Sequence, residues 1–570
     1  MVFGRVERSA LTRRTSVFLA TLLLAALYLF VWDLGSYPLQ SWDEGIYAVI
    51  ALRAADGGHW LIPSGLWGGS VGPFLLKPPL AFWIEGASIS VLGPSEFAVR
   101  LPSTLATVGT GIVVYSFGRR LRDDWAGLLA GVVFFTTPFV YAGQNAGRTG
   151  GVDMEMLLFG TLFVYSVWRT VADDEQHWLW VAGIAGGLAV LTKGFAAGIF
   201  VLIVLPIVAS TLRRFLTRHG AGMVAVTISI TLPWAAAMYV HFGSRFIHDI
   251  FITQVLGRAS GSLSSSGSWA LFGFMQYPYV KLLPIALDPW IYYVPFAVLV
   301  LGYTAYRTNR WKQLRTLGFL TWWVCIVFVF FALTGNHSWY VLPMFPATAL
   351  LVALLFRDTV RNRLARYGIF CGLVVFGLFS YRLPGIALDT LPLPFAAEQL
   401  DNAVIGGNVP TGAVFIAVAI SLPLAAIVIS EVDIALSNVL SYDVRTVLGG
   451  VLALVLITGL AAPCAVLSPT GGNGDADLTW NAQQKQLGEQ TATVVSHDAV
   501  VALSDDISGP LFPYTFYTGG NAAVVSNHDY SGYPAAILRP SELDTLNREY
   551  RVVATATNNA YGTVVVITFE

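Results

Sequence analysis

The stretch Ser16–Ala48 reads SVFLATLLLAALYLFVWDLGSYPLQSWDEGIYA. Residues 16–32 carry no charge, and a helix of about 20 apolar residues crosses a bilayer's hydrocarbon core. Asp43 and Glu44 then stand side by side shortly after this run. Arg5, Arg8, Arg13 and Arg14 precede it, as in a secretory signal. No small-x-small cleavage pattern follows, so the reading is an uncleaved first membrane helix. The fold question is settled here: the chain enters a membrane and then places two carboxylates just beyond it.

The rest of the chain continues that theme. Of 570 residues, 55% are hydrophobic and 12% are charged, against about 25% charged in an ordinary soluble domain. The mean hydropathy of +0.65 agrees. These values describe a polytopic membrane protein. A net charge of −1 and the lack of a Lys/Arg-rich run give no footing for nucleic acid. Cys325 and Cys371 lie inside apolar runs and Cys464 ends one. They read as small buried hydrophobes, with no disulfide framework and no cysteine metal cluster.

Apolar runs of spanning length fall at 16–32, 97–117, 125–142, 154–170, 178–192, 195–211, 221–240, 286–304, 317–333, 339–356, 367–383, 411–430 and 447–464. The fold class is therefore mainly α, with about 13 transmembrane helices. Orientation follows from basic residues in short loops. Arg119, Arg120, Arg122, Arg213, Arg214, Arg218, Arg307, Arg310, Lys312, Arg315, Arg357, Arg361, Arg363 and Arg366 all fall on one side. That side is cytoplasmic, which makes the N-terminus cytoplasmic and the C-terminus extracytoplasmic.

Two outer segments exceed linker length. The first, about 33–96, contains FLLKPPLAFWIEGASISVLG, whose apolar part after Pro79 is too short to span. It suits an interfacial helix with Trp83 at headgroup depth. The second follows SPTGGNGDAD, a turn-rich linker. TATVV, AVVAL, AAVV and RVVATAT…GTVVVITFE read as β-rich, and LTWNAQQKQLGEQ and SELDTLNREY as helical. The chain thus divides into a transmembrane domain, 1–464, and a small α/β outer domain, 465–570.

Ser41-x-x-Glu44 has the form of a capping box. That reading gives Glu44 a structural task but leaves Asp43 projecting where a substrate could reach it. Asp153 in QNAGRTGGVDMEMLLFG repeats the plan, an acid opening a helix on the outer face. A helix cap explains either acid singly; two on one face resemble a site. Lys77, Arg148 and Lys193 map to the same face. Snorkelling to headgroups is the bland explanation for each. Lys193, between two apolar runs with no acid nearby in sequence, is the least easily dismissed. His337 and Tyr340 in TGNHSWYVLPMFPATALL mark another outer helix start, where interfacial anchoring is the plain alternative.

Carboxylates suit general-base catalysis on an acceptor hydroxyl, and Lys and Arg suit a phosphate leaving group. A lipid-linked donor would need a groove between membrane helices. Sugar transfer from a polyprenyl phosphate meets all these demands. A transporter or lipid flippase is the competing class, and it would favour mid-membrane charges and repeated halves. A structural membrane protein whose outer domain binds partners is a third.

SWDEGIYA…GGHWLIP…LLKPPLAFW…LGPSEFAVRLPS, then LTKGF, then SWYVLPMFPATALL resemble blocks of the GT-C type membrane glycosyltransferases. The pattern is most similar to aminoarabinose lipid A transferases and dolichyl-phosphate-mannose protein mannosyltransferases. The resemblance implies an inverting glycosyltransferase with a polyprenyl- or dolichyl-monophosphate sugar donor and a glycan, lipid or protein acceptor. It matches Asp43 to the family's essential acid, with Glu44 beside it, and Asp153 to a second acid. It matches Lys77, Lys193 and Tyr340 to residues around the donor phosphate, which Arg148 and His337 would join. Leu76 stands where the aminoarabinose enzymes carry a Glu that can help hold a metal, and His337 where they tend to carry Lys. These residues identify no cofactor for certain, and a divalent metal is left open. Neither the sugar nor the acceptor can be read from the blocks.

Overall fold

The computed structural model describes residues 15–67, 70–141, 145–257, 283, 286–287, 289–334, 338–359, 362, 364–369, 371–372, 474–496, 498–505, 507, 511–526, 529–558 and 562–569. Helix α1, Thr15–Val31, is the opening apolar run. The first outer segment holds α2 (Asp43–Gly57), a hairpin of β1 (Ser64–Trp67) and β2 (Ser70–Pro73), and α3 (Leu80–Leu92). The helical body follows with α4 (Glu96–Leu121), α5 (Asp124–Phe135), α6 (Asp153–Ala172), α7 (Trp178–Lys193), α8 (Gly198–Ser210) and α9 (Arg218–Phe242). It continues with α10 (Val294–Arg307), α11 (Trp311–Thr334) and α12 (Phe345–Asp358).

Among the described residues, five runs are long and apolar enough to cross a membrane: Glu96–Leu121, Trp178–Ser210, Arg218–Phe242, Trp311–Ala332 and Trp339–Asp358. The second breaks at Gly194, whose φ of +61° turns the chain between α7 and α8. That position suits a residue without Cβ. The expected spans 411–430 and 447–464, and all but the first residues of 367–383, lie outside the described residues.

Local sequence sets the helix starts. The Ser95, Asp123 and Thr217 side chains accept hydrogen bonds from the Ala98, Ala126 and Gly220 amides, capping α4, α5 and α9. Small residues set the packing. A Cβ on Gly127 would stand 2.6 Å from the Tyr115 carbonyl, and one on Gly183 2.7 Å from that of Met223. The α4/α5 and α7/α9 backbones therefore touch, as close-packed membrane helices do.

One end of the body is tied by ion pairs between loops. Arg120 meets Asp173, Arg122 meets Asp358, Arg357 meets Asp123 and Arg214 meets Asp174. Three of the four basic loops grouped by the sequence, those of Arg120, Arg214 and Arg357, thus share one end of the bundle.

At the chain's other end, α13 (Gly474–Ala492), β3 (Val501–Ser504), α14 (Phe512–Tyr517), β4 (Ala522–Val525), β5 (Ala535–Leu538), β6 (Tyr550–Asn558) and β7 (Gly562–Phe569) follow in order. They form a mixed seven-stranded sheet, ordered β1-β2-β4-β3-β5-β7-β6. Strand β3 runs parallel to β4 and β5. The hairpin of the first outer segment joins the sheet through Ser70 opposite Ala523. Ile46, Tyr47 and Ile50 of α2, Phe74 and Phe82 share one core with Trp480, Leu487, Leu503 and Ile537. The first outer segment and the C-terminal sheet are therefore one packed unit, where the sequence assigned them to separate domains.

Two local expectations are corrected. TATVV is the end of α13 and a turn, because the Thr493, Val494 and Val495 amides bond back to Gln490 and Thr491. SELDTLNREY forms only a 3₁₀ turn, Pro540–Thr545, before β6 begins. Glu542 is drawn inward there to accept from Ser504 and Tyr530.

Candidate functional site

Helix α2 opens with both acids, and the structure gives them different work. Asp43 is half-buried and accepts from the Asn145 amide at 3.1 Å. Glu44 is 3% exposed. Its Oε1 accepts from Arg100 Nε at 2.7 Å and Gly150 N–H at 2.8 Å; its Oε2 accepts from Arg100 Nη2 at 3.1 Å and Gln40 N–H at 2.7 Å. The anticipated capping box does not form. Glu44 bonds the Gln40 amide, not that of Ser41, and Trp42 occupies the cap position. Arg100 also donates to the carbonyls of Leu34, Tyr37 and Pro38. Glu44–Arg100 is thus a buried, fully bonded ion pair that fixes the approach to α2. Losing one partner of such a pair costs about 3–5 kcal/mol, because the other charge is left buried.

The second acid is also paired. Asp153 at the start of α6 binds Lys193 at the end of α7, with side-chain exposures of 2% and 7%. The Lys193 ammonium lies 5.6 Å from the centre of the Tyr340 ring. Pro78 packs 3.5 Å from the Cβ position of Gly194, which brings the Lys77-Pro78-Pro79 block against the Lys193-Gly194 turn. Lys77 in turn bonds the Tyr47 hydroxyl and sits 4.6 Å above its ring. Tyr47 follows Asp43 by four residues, so both lie on one face of α2. Asn145 and the Gly150 amide close the set, holding the loop before α6 against the start of α2. Asp43, Lys77, Asp153, Lys193 and Tyr340 therefore belong to one connected cluster.

Arg148 does not join it. Its guanidinium donates to the carbonyls of Leu29, Trp32 and Asp33, and so caps the end of α1. His337 lies outside the described residues.

Sequence reasoning did not single out Glu85, Arg100, Asn145 or Tyr47. Glu85 is 2% exposed, and its Oε1 has no hydrogen-bond partner. Burial, then the charges of Glu155 and Glu44, hold its carboxyl well above the usual range. Glu155 accepts from Ser103 at 3.2 Å and leaves Oε2 unbonded. Both Glu85 and Arg100 interrupt otherwise apolar helical runs, and that was the available signal. Among the described residues, no three His, Cys, Asp or Glu side chains converge as metal ligands.

The arrangement can remove a proton at Asp43 and offset anionic charge at Lys77 and Lys193. Residues 76–236 match the family model described as dolichyl-phosphate-mannose-protein mannosyltransferase. An undecaprenyl phosphate-alpha-4-amino-4-deoxy-L-arabinose arabinosyl transferase from Pectobacterium atrosepticum is 25% identical over 71% of this chain and 70% of its own length. The enzyme of the same name from Pseudomonas aeruginosa is 27% identical over 66% and 67%. The crystal structure of ArnT from Cupriavidus metallidurans bound to undecaprenyl phosphate superposes with a TM-score of 0.67 at 19% identity, covering 96% of this chain and 97% of that one.

The chain has the fold of the GT-C type membrane glycosyltransferases.

The fold and the relatives are those of sugar-transferring enzymes, and the transporter reading is set aside. The ordered blocks seen in the sequence were enough to find the family. This fold keeps the helix starts and the Lys-Pro-Pro and Thr-Lys-Gly blocks in one cluster. It assigns Glu44 and Arg148 to holding the chain in place.

Proposed function

We propose that this glycosyltransferase takes a sugar from a polyprenyl monophosphate, undecaprenyl or dolichyl, and transfers it with inversion to a glycan, lipid or protein at the outer face of the cell membrane. The observation that carries the reading is the cluster of half-buried Asp43 with Lys77 and Lys193, built from separate helix ends. The relatives' names specify an undecaprenyl-phosphate-linked aminoarabinose donor, and undecaprenyl phosphate is bound in the Cupriavidus structure; both support a polyprenyl-phosphate donor. Leu76 and His337 argue for a sugar or acceptor different from aminoarabinose and lipid A.

In this reading Asp43 accepts the proton of the acceptor hydroxyl. The hydroxyl oxygen attacks the anomeric carbon from the side opposite the phosphate. The bond from that carbon to the phosphate oxygen breaks, and its electron pair leaves with the polyprenyl phosphate. Lys77 and Lys193 offset the charge that develops there, and Asp153 orients Lys193. The basic loop end is cytoplasmic, and thirteen helices put the α/β sheet outside. The support for this is the excess of Arg and Lys in the loops joined by ion pairs.

The test uses purified full chain and a panel of undecaprenyl and dolichyl phosphate sugars, with an envelope glycolipid and protein extract as acceptor. Release of free polyprenyl phosphate is measured. Asp43→Asn should lower turnover about 10²–10⁴-fold while the protein melts as wild type does. Turnover at the wild-type rate would remove Asp43 from the chemistry.

A further inference from the structure

Asp43 is preceded by a backbone outlier. Trp42 has φ +70° and ψ −124°, a conformation that bulky L-residues rarely adopt and that persists only where surrounding contacts over-determine it. Those contacts lie on both sides. Downstream, Gly45 N–H donates to the Gln40 carbonyl at 3.0 Å, and Glu44 is locked by Arg100 and Gly150. Upstream, the holding groups come from more than 430 residues further along the chain. Ser41 Oγ donates to Asn481 Oδ1 at 2.7 Å and accepts from Gln484 Nε2 at 3.2 Å. Leu39 N–H donates to the Tyr517 hydroxyl at 2.9 Å. That hydroxyl donates to Glu96 at 3.1 Å, and Lys485 pairs with the same carboxylate.

Asn481, Gln484 and Lys485 occupy positions i, i+3 and i+4 of α13, and so form one face. Asn481 is 5% exposed and Gln484 0%. Gln484 Oε1 accepts from the Tyr514 amide at 3.3 Å, which fixes the amide so that its NH₂ points at Ser41. Burial, then the Glu96 carboxylate, keeps the Tyr517 hydroxyl protonated and able to donate. A solvated surface helix needs none of these bonds. They lie at least partly out of solvent, and they end on Leu39 and Ser41, just before Trp42, and on Glu96 in the first turn of α4.

We propose that α13 of the C-terminal region is a positioning device for the transfer reaction: Asn481 and Gln484, bonded to Ser41, hold the strained Trp42 peptide that aims the Asp43 carboxylate. The inference rests on Asp43 being the base. Asn481 and Gln484 are positioning residues, and neither touches substrate. Without them the 39–42 segment relaxes, and Asp43 leaves its working direction while Lys77 and Lys193, held by α2 and α6, stay in place. Turnover falls and donor binding does not.

The test compares kcat and donor KM of full-length Asn481→Leu, Asn481→Asp and Ser41→Ala proteins, using whichever polyprenyl phosphate sugar of the panel above turns over fastest. Asn481→Leu and Ser41→Ala should each lower kcat about tenfold or more, with donor KM within about twofold of wild type. Asn481→Asp keeps the acceptor oxygen and should recover most of the loss seen with Leu. Ser41→Ala leaves the sheet's core untouched, so it decides the matter even where Asn481→Leu fails to fold. A wild-type kcat in Ser41→Ala overturns the proposal, as does a fall that appears in KM. Asp43→Asn is assayed alongside. If it is active, the base assignment and this inference fall together. If it is inactive while Ser41→Ala turns over normally, only the inference falls.

Discussion

At the scale of single residues, neighbouring carboxylates have opposite fates. Glu44 meets four donors and becomes structural, while Asp43, one residue earlier, keeps partial exposure. Glu85 is a third case, buried beside Glu44 and Glu155 with an oxygen left unbonded. Its folded-state pKa is raised above the unfolded value, so the folded protein holds a proton that the unfolded chain releases. Stability from this group therefore falls as pH rises above the unfolded carboxylate pKa, and levels off past the folded one. Glu85→Gln has no proton to lose. Its melting temperature should exceed that of wild type by a larger margin at pH 8 than at pH 5, measured by thermal unfolding in detergent. An equal margin at both pH values would mean Glu85 is charged in the fold. The sequence separated a structural Glu44 from a reachable Asp43, but through a capping box; the partner Glu44 actually takes, Arg100, lies 56 residues away.

At the scale of elements, the helix ends do the work. The end of α7 and the start of α6 meet through Lys193 and Asp153, and the Lys-Pro-Pro block packs on the turn between α7 and α8. In the proposed function the Lys193 ammonium faces the donor phosphate, with Asp153 and the Tyr340 ring as its supports. Lys193→Ala should weaken binding of undecaprenyl phosphate about tenfold or more and change acceptor affinity little, as read by titration of purified protein. Unchanged affinity for undecaprenyl phosphate would place the anion elsewhere. The sequence marked Lys193 as a charge between apolar runs, but its partner Asp153 lies 40 residues away and only the antiparallel packing of α6 and α7 joins them. Arg148 shows the converse. Its charge on the outer side suggested phosphate, yet the loop geometry turns it onto the carbonyls of α1.

At the scale of the whole molecule, a ring of loop ion pairs closes one end of the helical bundle, and a shared core of outer segment and C-terminal sheet caps the other. A protein so built should present the two ends to opposite sides of the membrane. In a variant with Cys325, Cys371 and Cys464 replaced, Ser531→Cys should react with an impermeant maleimide in intact cells. Thr308→Cys, in the exposed turn after α10, should react only after lysis. Labelling of both in intact cells, or the reverse order, would overturn the proposed orientation.

By itself the sequence determined the membrane class, the ends of most described helices, the glycosyltransferase resemblance and the acids and lysines of the cluster. These depend on local properties: apolar length, caps at helix starts, and charges too costly to leave in hydrocarbon without purpose. Tertiary structure alone decided that Arg100 and Gly150 are the groups that bind Glu44, and that hairpin β1–β2 belongs to a sheet completed more than 400 residues later. It also decided that α13 grips the approach to Asp43. A strand edge or a buried carboxylate is satisfied by whatever group packing brings to it, and no local pattern encodes so distant a partner.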